Sequence, residues 1–400
     1  MILFRADGNS SVGSGHIMRC LSIADAARDK GIECLFVTAG NEFLKIIEKR
    51  GFRDIVLGTD YRDMDSELKK LDEIVPERKP EVVFVDSYFV TEVYLNRLKE
   101  IVNGVRAEVG ESVNDVSEAV RGVHGQGGGK LVYIDDVLSF PYPCDVLINY
   151  NIYAEREKYL ELYQGQEKTG IPEMFLNTEY APLRKEFRPD KIIVDKPIRN
   201  TNEERALGDN SVSNVNIESD NSEVADILVS TGGADFEHLM IELVRAVKKR
   251  GCDRVFHFVV GAANEDKKEI YGEALGEKNI VLHENVTQMA ELMRSCKVAI
   301  SAAGSTLYEL CATKVPTITY ILADNQMPGA DGFEKRGIMK CAGDIREMGA
   351  KELADKLIGE ALVLCDNKKD RIAMAERQGR VVDGYGAGRI VDRIKFTIID

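Results

Sequence analysis

Short apolar runs alternate with helical patterns along most of this 400-residue sequence, and the series occurs twice. A short apolar run predicts a buried strand, and the amphipathic segment after it predicts the crossover helix of a parallel sheet. Two such arrays predict an α/β protein with two Rossmann-like doubly wound domains, large enough to face each other across a ligand cleft. The predicted strands are 1–5, 34–38, 82–86, 131–135 and 146–148 in the first array, and 226–230, 255–260, 280–282, 298–301 and 317–321 in the second.

Polar segments separate and interrupt the two arrays. Residues 195–224 are rich in Asn, Ser and Glu, which predicts a flexible linker between a first domain, 1–194, and a second, 225–381. Residues 104–129 end in a Gly-rich stretch and predict a disordered surface insertion in the first domain. Residues 382–400 are expected to form a C-terminal helix that packs back on the first domain.

Charge and composition argue against several partners. The formal charge of -14 would repel a nucleic-acid backbone, and no run of Lys and Arg offsets it. No apolar stretch approaches the roughly 18 residues that span a bilayer, so we expect a cytoplasmic protein without membrane insertion. The eight cysteines and five histidines are scattered, which predicts reduced thiols, no metal site and no cofactor.

The first predicted strand leads through a glycine-containing loop, residues 7–16, into a helical pattern. Gly13 and Gly15 allow the backbone to approach a ligand at the carboxyl edge of the sheet. His16 stands at the start of the helix, whose positive end favours the neutral imidazole that accepts a proton from water. Asp7, at the end of the strand, is expected to orient the ring. From these residues alone, a role for His16 only as a helix cap is the favoured interpretation.

Two further strand ends place polar side chains at the same predicted edge. Asp86 and Tyr88 follow the third strand, and Tyr88 could hydrogen-bond a sugar or a catalytic water, or pack under a loop. Asp135 and Asp136 follow the fourth strand, where they could shape a sugar pocket or cap the next turn. The capping role is the favoured interpretation.

Two strand–turn–helix junctions in the second array predict a diphosphate site. Gly232 and Gly233 follow its first strand and would present backbone amides to phosphate. Gly304, Ser305 and Thr306 follow its fourth strand, and these small residues permit close approach of a diphosphate to a helix start.

Glu309 lies one turn into that helix and is placed to accept both hydroxyls of a ribose. The Thr-x-x-Glu spacing from Thr306 is also a capping box, which would explain Glu309 without a ligand, and the spacing favours neither interpretation. Asn325 and Gln326 follow the last predicted strand and form an amide-rich loop suited to sugar hydroxyl or N-acetyl groups.

Taken in order, these motifs resemble the UDP-2,4-diacetamido-2,4,6-trideoxy-β-L-altropyranose hydrolase family of pseudaminic acid biosynthesis, which includes relatives labelled spore-coat polysaccharide proteins. The matching segments cover almost the whole chain: RAD at 5–7, GSGHIMRCL at 13–21, VDSY at 85–88, IDD at 134–136, CD at 144–145, YAPLRKEF at 180–187, VSTGGAD at 229–235, AAGST at 302–306, ADNQ at 323–326 and DGYGA at 383–387. Ser87 stands where many members have His, which leaves the exact sugar open.

The resemblance implies a B-type glycosyltransferase fold in which the second domain holds UDP and the first supplies the catalytic His. It implies pocket roles for Tyr88 and Asn325, and a nucleotide site at Glu309 with the Ser305–Thr306 turn. The expected reaction is hydrolysis of a UDP-activated sugar without a metal, with His16 as the general base for water and with inversion at the anomeric carbon. A UDP-sugar-dependent glycosyltransferase and a non-catalytic nucleotide-sugar-binding module remain as alternatives.

Overall fold

Two parallel sheets organise the chain, each within its own unit. The structure is a computed structural model that describes residues 1–8, 13–104, 128–165, 170–189, 227–233 and 235–394. The chain divides into unit 1, Met1–Arg184 with Tyr385–Asp400, and unit 2, Lys185–Gly384. The predicted linker and most of the predicted insertion lie outside the described residues.

Unit 1 contains a seven-stranded parallel sheet in the order β3-β2-β1-β4-β5-β6-β7. Its strands are β1 Ile2–Ala6, β2 Cys34–Thr38, β3 Arg53–Val56, β4 Val82–Asp86, β5 Lys130–Ile134, β6 Val146–Asn149 and β7 Glu173–Leu176. Its first five helices are α1 Gly15–Arg28, α2 Leu44–Lys49, α3 Leu68–Arg78, α4 Glu92–Val102 and α5 Arg156–Leu162. Phe4 on the central strand β1 stacks on Phe36 at 5.1 Å and on Phe84 at 4.9 Å, so an aromatic row crosses the middle of the sheet.

Unit 2 contains a six-stranded parallel sheet in the order β10-β9-β8-β11-β12-β13. Its strands are β8 Ile227–Ser230, β9 Phe256–Val260, β10 Ile280–Glu284, β11 Val298–Ala302, β12 Thr317–Ile321 and β13 Lys340–Asp344. Its helices are α6 Leu239–Arg250, α7 Lys267–Ala274, α8 Met289–Ser295, α9 Thr306–Thr313, α10 Met327–Lys335, α11 Ile345–Met348, α12 Ala350–Asp366 and α13 Lys368–Val381. The predicted α/β class with two Rossmann-like sheets is confirmed.

The last described helix, α14 Gly386–Arg393, belongs to unit 1, where it packs against α1. Arg393 of this helix donates to the Tyr180 hydroxyl and to Glu173. A Cβ atom on Gly386 would lie 2.2 Å from the carbonyl oxygen of Ala181, so the helix starts in direct contact with that backbone. Within the described ranges, the structure has no helix long and apolar enough to cross a membrane.

Candidate active site

The strand order of unit 1 reverses between β1 and β4, which makes this pair the topological switch point of its sheet. The two strands run parallel with Ala6 opposite Asp86, so both end at the same edge. Open α/β sheets bind ligands in the crevice outside the carboxyl ends of their strands at such a point. Because the chain passes from β1 into α1, which carries His16, the fold can bring His16 to Asp86.

His16 and Asp86 form a buried hydrogen-bonded pair. The Nδ1 atom of His16 lies 2.5 Å from Oδ1 of Asp86, and the residues are 5% and 0% exposed. Because an ionised carboxylate can only accept a hydrogen bond, Nδ1 carries the proton in this contact. In the neutral ring, the lone pair is then on Nε2. The pair therefore holds the imidazole in the tautomer that can take up a proton at Nε2.

The expectation that Asp7 orients the His16 ring is wrong, because Asp86 does so. The Asp7 carboxylate has other partners: it accepts from Nη1 of Arg5 at 2.5 Å and from the backbone N of Ala39 at 2.7 Å. Asp7 nevertheless lines the same cavity as His16. Its carboxylate is fixed by the Arg5 and Ala39 donors rather than by the imidazole.

Arg19 forms a two-point ion pair with Asp86. Its Nε and Nη2 atoms donate to the two carboxylate oxygens, each at 2.5 Å, and its Nη1 donates to Asp136 at 2.7 Å and to the Tyr150 hydroxyl at 3.1 Å. Burial raises the pKa of Asp86, but the charge of Arg19 and the hydrogen bonds from Arg19 and His16 outweigh burial and hold that pKa well below its ordinary value. Asp86 is therefore a permanently ionised acceptor for Nδ1–H.

Asp135 and Asp136 have different partners. Asp135 accepts from the backbone N of Val137 at 2.9 Å, which confirms the capping role favoured from the sequence. Asp136 instead accepts from Arg19 and, at 2.8 Å, from Nδ2 of Asn151. Asp136 thus belongs to the charge network that contains Asp86, a role that the sequence did not indicate.

A small cavity opens beside the His16 ring. It is lined by Asp7, His16, Tyr61, Asp86, Ser87, Tyr88 and Phe89. Its volume open to water is about 10 Å³, which is room for about one water molecule. The Tyr88 ring meets the His16 ring edge-on, with the centroids 4.4 Å apart. Partial burial and then the charge of Asp136 raise the pKa of Tyr88, so its hydroxyl stays protonated and can donate.

Gly13 and Gly15 lie at the start of α1, next to His16. Gly13 has φ +73°, in the left-handed region that favours glycine, and Gly15 is the exposed first residue of the helix. Residues 9–12, which precede them in the loop, lie outside the described residues. Ligand contact by the two glycines therefore stays a prediction.

Unit 2 has its own switch point, between β8 and β11. These strands run parallel with Ser230 opposite Ser301, so the turn at Gly232 and Gly233 and the turn at Gly304 leave the same edge of the sheet. The predicted diphosphate residues therefore lie at the edge where doubly wound sheets bind ligands.

The Gly232–Gly233 turn is packed directly against the backbone that follows β9. Gly232 has φ +92°, which a side chain would strain. A Cβ atom on Gly261 would lie 2.2 Å from the Gly233 carbonyl oxygen and 2.5 Å from that of Gly232. The backbone N of Ala263 also donates to the Gly233 carbonyl at 3.1 Å. Gly261 thus permits the contact that fixes the shape of the turn.

Asp235 closes the loop that follows this turn. Its Oδ2 accepts from the backbone N of Met240, in the first turn of α6, at 2.9 Å and from Nδ2 of Asn264 at 3.3 Å. Burial raises the pKa of Asp235 to about 6. The carboxyl therefore has a structural role beneath the predicted phosphate-binding turn.

Helix α9 begins at Thr306, with Ser305 as its N-cap and no side-chain cap. Because Thr306 is the first helical residue rather than the N-cap, the Thr-x-x-Glu sequence is not in the register of a capping box. Glu309 is partly buried in the first turn. The amides at this helix start carry the partial positive charge that suits an anion, with Gly304 immediately before them.

Asn325 and Gln326 end a short 3₁₀ turn, Asp324–Gln326, after β12. Gln326 braces its own loop, since its Oε1 accepts from the backbone N of Leu322 at 2.9 Å. Asn325 is exposed. Because β12 lies next to β11, Asn325 is at the same edge of the sheet as Gly304.

Sequence reasoning missed Arg19, although its position held a usable signal. Arg19 lies three residues after His16 in α1, and residues three apart on a helix share a face. Arg19 is a cation on the same helix face as the candidate catalytic His16, and the sequence places carboxylates without assigned partners at the neighbouring strand ends. Together these features would have indicated the ion pairs of Arg19 with those carboxylates.

The fold and one family match define the class of this protein. Residues 227–380 match the family described as Glycosyltransferase family 28 C-terminal domain. The crystal structure of MurG from Acinetobacter baumannii aligns with a TM-score of 0.60 over 98% of this chain and 97% of its own, at 11% identity. The chain therefore has the two-domain B-type glycosyltransferase fold that the sequence resemblance implied.

The chain is similar to the UDP-2,4-diacetamido-2,4,6-trideoxy-β-L-altropyranose hydrolase of Campylobacter jejuni, with 23% identity over 341 residues, 84% of this chain and 97% of the relative. An uncharacterized protein of Methanocaldococcus jannaschii is 22% identical over 344 residues, 82% of this chain and 57% of its own. Spore coat polysaccharide biosynthesis protein SpsG of Bacillus subtilis is 25% identical over 168 residues, 41% of this chain and 48% of its own. The chain thus spans about half the length of the last two relatives, and the resemblance predicted from the motifs is confirmed.

Proposed function

We propose that this protein hydrolyses a UDP-activated diacetamido-trideoxy sugar to free sugar and UDP. The observation that carries the proposal is the His16–Asp86 pair, which lies beside a water-sized cavity at the switch point of unit 1. The similarity to the Campylobacter jejuni hydrolase over 97% of that relative supports both the reaction and the sugar class.

In the proposed reaction, a water molecule transfers a proton to Nε2 of His16 and attacks the anomeric carbon of the sugar. The bond between that carbon and the diphosphate oxygen breaks, and its electron pair leaves with UDP. His16 becomes an imidazolium, which the ionised Asp86 stabilises through Nδ1–H. Attack opposite the leaving group inverts the anomeric configuration.

The proposed UDP site lies in unit 2. Backbone amides of the Gly232–Gly233 turn and of the Gly304–Thr306 turn, which includes Ser305, bind the diphosphate and stabilise the charge that develops on it. Glu309, one turn into α9, accepts the hydroxyls of the ribose. Both turns leave the switch-point edge of the second sheet, and this shared edge supports the assignment.

The cavity beside His16 has room only for the attacking water, so the sugar would lie at its mouth, where the surrounding side chains suit an uncharged sugar with apolar substituents. Tyr61, Tyr88 and Phe89 give it an aromatic wall, against which the methyl groups of a 6-deoxy diacetamido sugar can pack. Among the described residues that line it, the charged groups are the carboxylates of Asp7 and Asp86, with no Lys or Arg. A sugar acid would meet like charge there.

Further polar contacts to the sugar are assigned to the pocket residues that the sequence predicted. The Tyr88 hydroxyl and the amide of Asn325 donate to hydroxyl or acetamido oxygens, and the Nε2 amino group of Gln326 does the same while its Oε1 braces the loop. Backbone groups at Gly13 and Gly15 contact the sugar from the loop before α1.

A glycosyltransferase is the second candidate, because the family match for residues 227–380 bears that description. The two reactions differ in whether water or an acceptor hydroxyl attacks the anomeric carbon. Release of UDP from the UDP-diacetamido-trideoxy sugar should proceed without any acceptor, and proton NMR of the first product should show the inverted anomer. UDP release only in the presence of an acceptor would identify a transferase, and UDP binding without turnover would identify a binding module.

A further inference from the structure

Arg19 joins the carboxyl ends of three neighbouring strands. Asp86 ends β4, Asp136 follows β5 and Tyr150 follows β6, and the Arg19 guanidinium donates to all three side chains. Arg19 itself belongs to α1, three residues after His16. A guanidinium that donates four hydrogen bonds at this junction fixes the relative positions of the helix and the three strand ends.

The charge on Asp86 must be balanced, because its side chain is completely buried. Two cationic partners are available: Arg19 and a protonated His16. If Arg19 were removed, the buried carboxylate would favour the imidazolium form of His16, in which Nε2 already carries a proton. That form cannot accept a proton from water. With Arg19 present, Asp86 is already compensated and can hold a neutral ring through Nδ1–H.

Asp136 adds a second carboxylate to the cluster through its 2.7 Å contact with Arg19. With His16 neutral, the two carboxylates outnumber the single guanidinium, so the cluster has an excess of one negative charge. Uptake of a proton by His16 removes that excess. In the resting state the charge of Asp136 acts against that of Arg19, and it becomes favourable when His16 takes up a proton during the reaction.

We propose that Arg19, held in place by Asp136, is a positioning residue that compensates the charge of Asp86, so that His16 rests neutral and oriented with Nε2 as the proton acceptor. The inference rests on the proposed function of His16 as the base. Arg19 acts through Asp86 rather than by touching the substrate: it is absent from the residues that line the cavity.

The direct test is NMR of the histidine rings in ¹⁵N-labelled protein at neutral pH, with the His16 signals identified by their loss in His16→Asn. The parent should show a neutral ring protonated at Nδ1, and Arg19→Met should show a ring protonated at both nitrogens. Arg28→Met is the matched control, because Arg28 lies on the same helix and pairs with Asp25. The control should leave the His16 signals unchanged. Unchanged His16 signals in folded Arg19→Met would overturn the inference.

Kinetics provide a second readout. Arg19→Met should lower kcat by about 10²-fold with UDP affinity unchanged, since the group acts on the base and not on the nucleotide. Arg19→Lys retains the charge and should recover part of kcat. If Arg19→Met does not fold, Arg19→Gln, which also removes the charge, replaces it in both measurements. Equal loss of kcat in the Arg19 variants and in Arg28→Met would contradict a positioning role.

The two proposals fail in different ways. No UDP release by the parent would remove the proposed function, and full turnover in His16→Asn would remove the role of His16 as the base, whatever the NMR signals of the Arg19 variants show. Loss of turnover in His16→Asn, combined with normal turnover and unchanged ring signals in Arg19→Met, would remove only the role of Arg19.

Discussion

The imidazole of His16 and the carboxylate of Asp86 lie 2.5 Å apart although 70 residues separate them in the chain. The topology accounts for this contact, because β1 and β4 are neighbours in the sheet while the chain between them forms β2 and β3. The two ring nitrogens of His16 have different roles: Nδ1 is hydrogen-bonded to Asp86, and Nε2 is available to a ligand.

Asp86→Asn should lower turnover by about 10² to 10⁴, because an amide cannot both hold the Nδ1–H tautomer and stabilise the imidazolium. UDP affinity should be unchanged. Asp25→Asn is the matched control: Asp25 is also a buried carboxylate with two arginine partners, Arg28 and Arg50, but it does not line the cavity.

Asp86→Asn breaks a buried ion pair and should lower the free energy of unfolding by about 3 kcal/mol. Asp25→Asn should lower it by less, because its partners Arg28 and Arg50 are 46% and 30% exposed. Turnover is therefore measured at a temperature where circular dichroism shows each variant to be folded. Normal turnover in folded Asp86→Asn would contradict the assigned role of the pair.

Gly261→Ala should weaken UDP binding by about tenfold and lower stability by about 1–3 kcal/mol. The added methyl would lie 2.2 Å from the Gly233 carbonyl oxygen, so the proposed diphosphate turn must move. Gly272→Ala in α7 is the control, since a Cβ atom there meets nothing within 4 Å. It should add about 0.5–1 kcal/mol of stability and leave UDP affinity unchanged.

Calorimetric titration with UDP measures the affinity for UDP, and unfolding in urea measures the stability. Normal UDP affinity in Gly261→Ala, together with the expected loss of stability, would move the diphosphate site away from the Gly232–Gly233 turn.

Much of the fold could be predicted from the sequence because most strands are buried apolar runs. The segments 34–38, 82–86 and 317–321 match β2, β4 and β12 residue for residue. The three strands that were missed, β3, β7 and β13, all lie at sheet edges. Edge strands are partly exposed and carry polar residues, as in the Lys-Cys-Ala-Gly-Asp of β13, so the apolar signal is weak there.

The candidate site was only partly predictable, because local sequence patterns give the positions of residues along strands and helices but not the contacts between their side chains. Periodicity and loop composition placed His16 correctly at the start of a helix and the glycine turns of unit 2 correctly at strand ends. The partner of the His16 imidazole could not be predicted in this way, because Asp7 and Asp86 both lie at strand ends on the same sheet edge. Only the packed structure shows which carboxylate contacts the imidazole. The Arg19 network depends on contacts across 67 and 117 residues, which local patterns do not encode.

Removing the hydroxyl group should have different effects on stability at two buried tyrosines, Tyr320 and Tyr94. Tyr320 is 0% exposed and its hydroxyl has no hydrogen-bond partner among the described residues, so Tyr320→Phe should leave stability unchanged or raise it by about 1 kcal/mol. Tyr94, also 0% exposed, donates to Glu67 at 2.7 Å. Tyr94→Phe should lower stability by about 1.5–3 kcal/mol. Urea unfolding of both variants checks this, and equal destabilisation would refute the assigned difference.

Stability should depend on pH through His283. Burial, and then the charge of His257 at 2.9 Å, lower the pKa of His283 from 6.5 to about 4. Between these values the unfolded chain binds more protons than the folded one, so this contribution to the free energy of unfolding rises as pH rises from 4 to 6.5. The contribution is at most about 3 kcal/mol.

The parent minus His283→Gln difference in unfolding free energy, measured across that range, isolates the effect. His238→Gln is the control, because the hydrogen bond to Asp266 raises the pKa of the exposed His238. The effect of this replacement on the free energy of unfolding should be constant from pH 4 to 6.5 and should diminish only above pH 6.5. A parent-minus-His283→Gln difference that stays constant from pH 4 to 6.5 would contradict the prediction.

The most direct test of the account is UDP release from UDP-2,4-diacetamido-2,4,6-trideoxy-β-L-altropyranose, without acceptor, by the parent and by His16→Asn. The account predicts rapid release by the parent, a fall of about 10² to 10⁴ in the variant, and equal UDP affinity in both. Near-normal turnover in His16→Asn would contradict the central claim that His16 is the base.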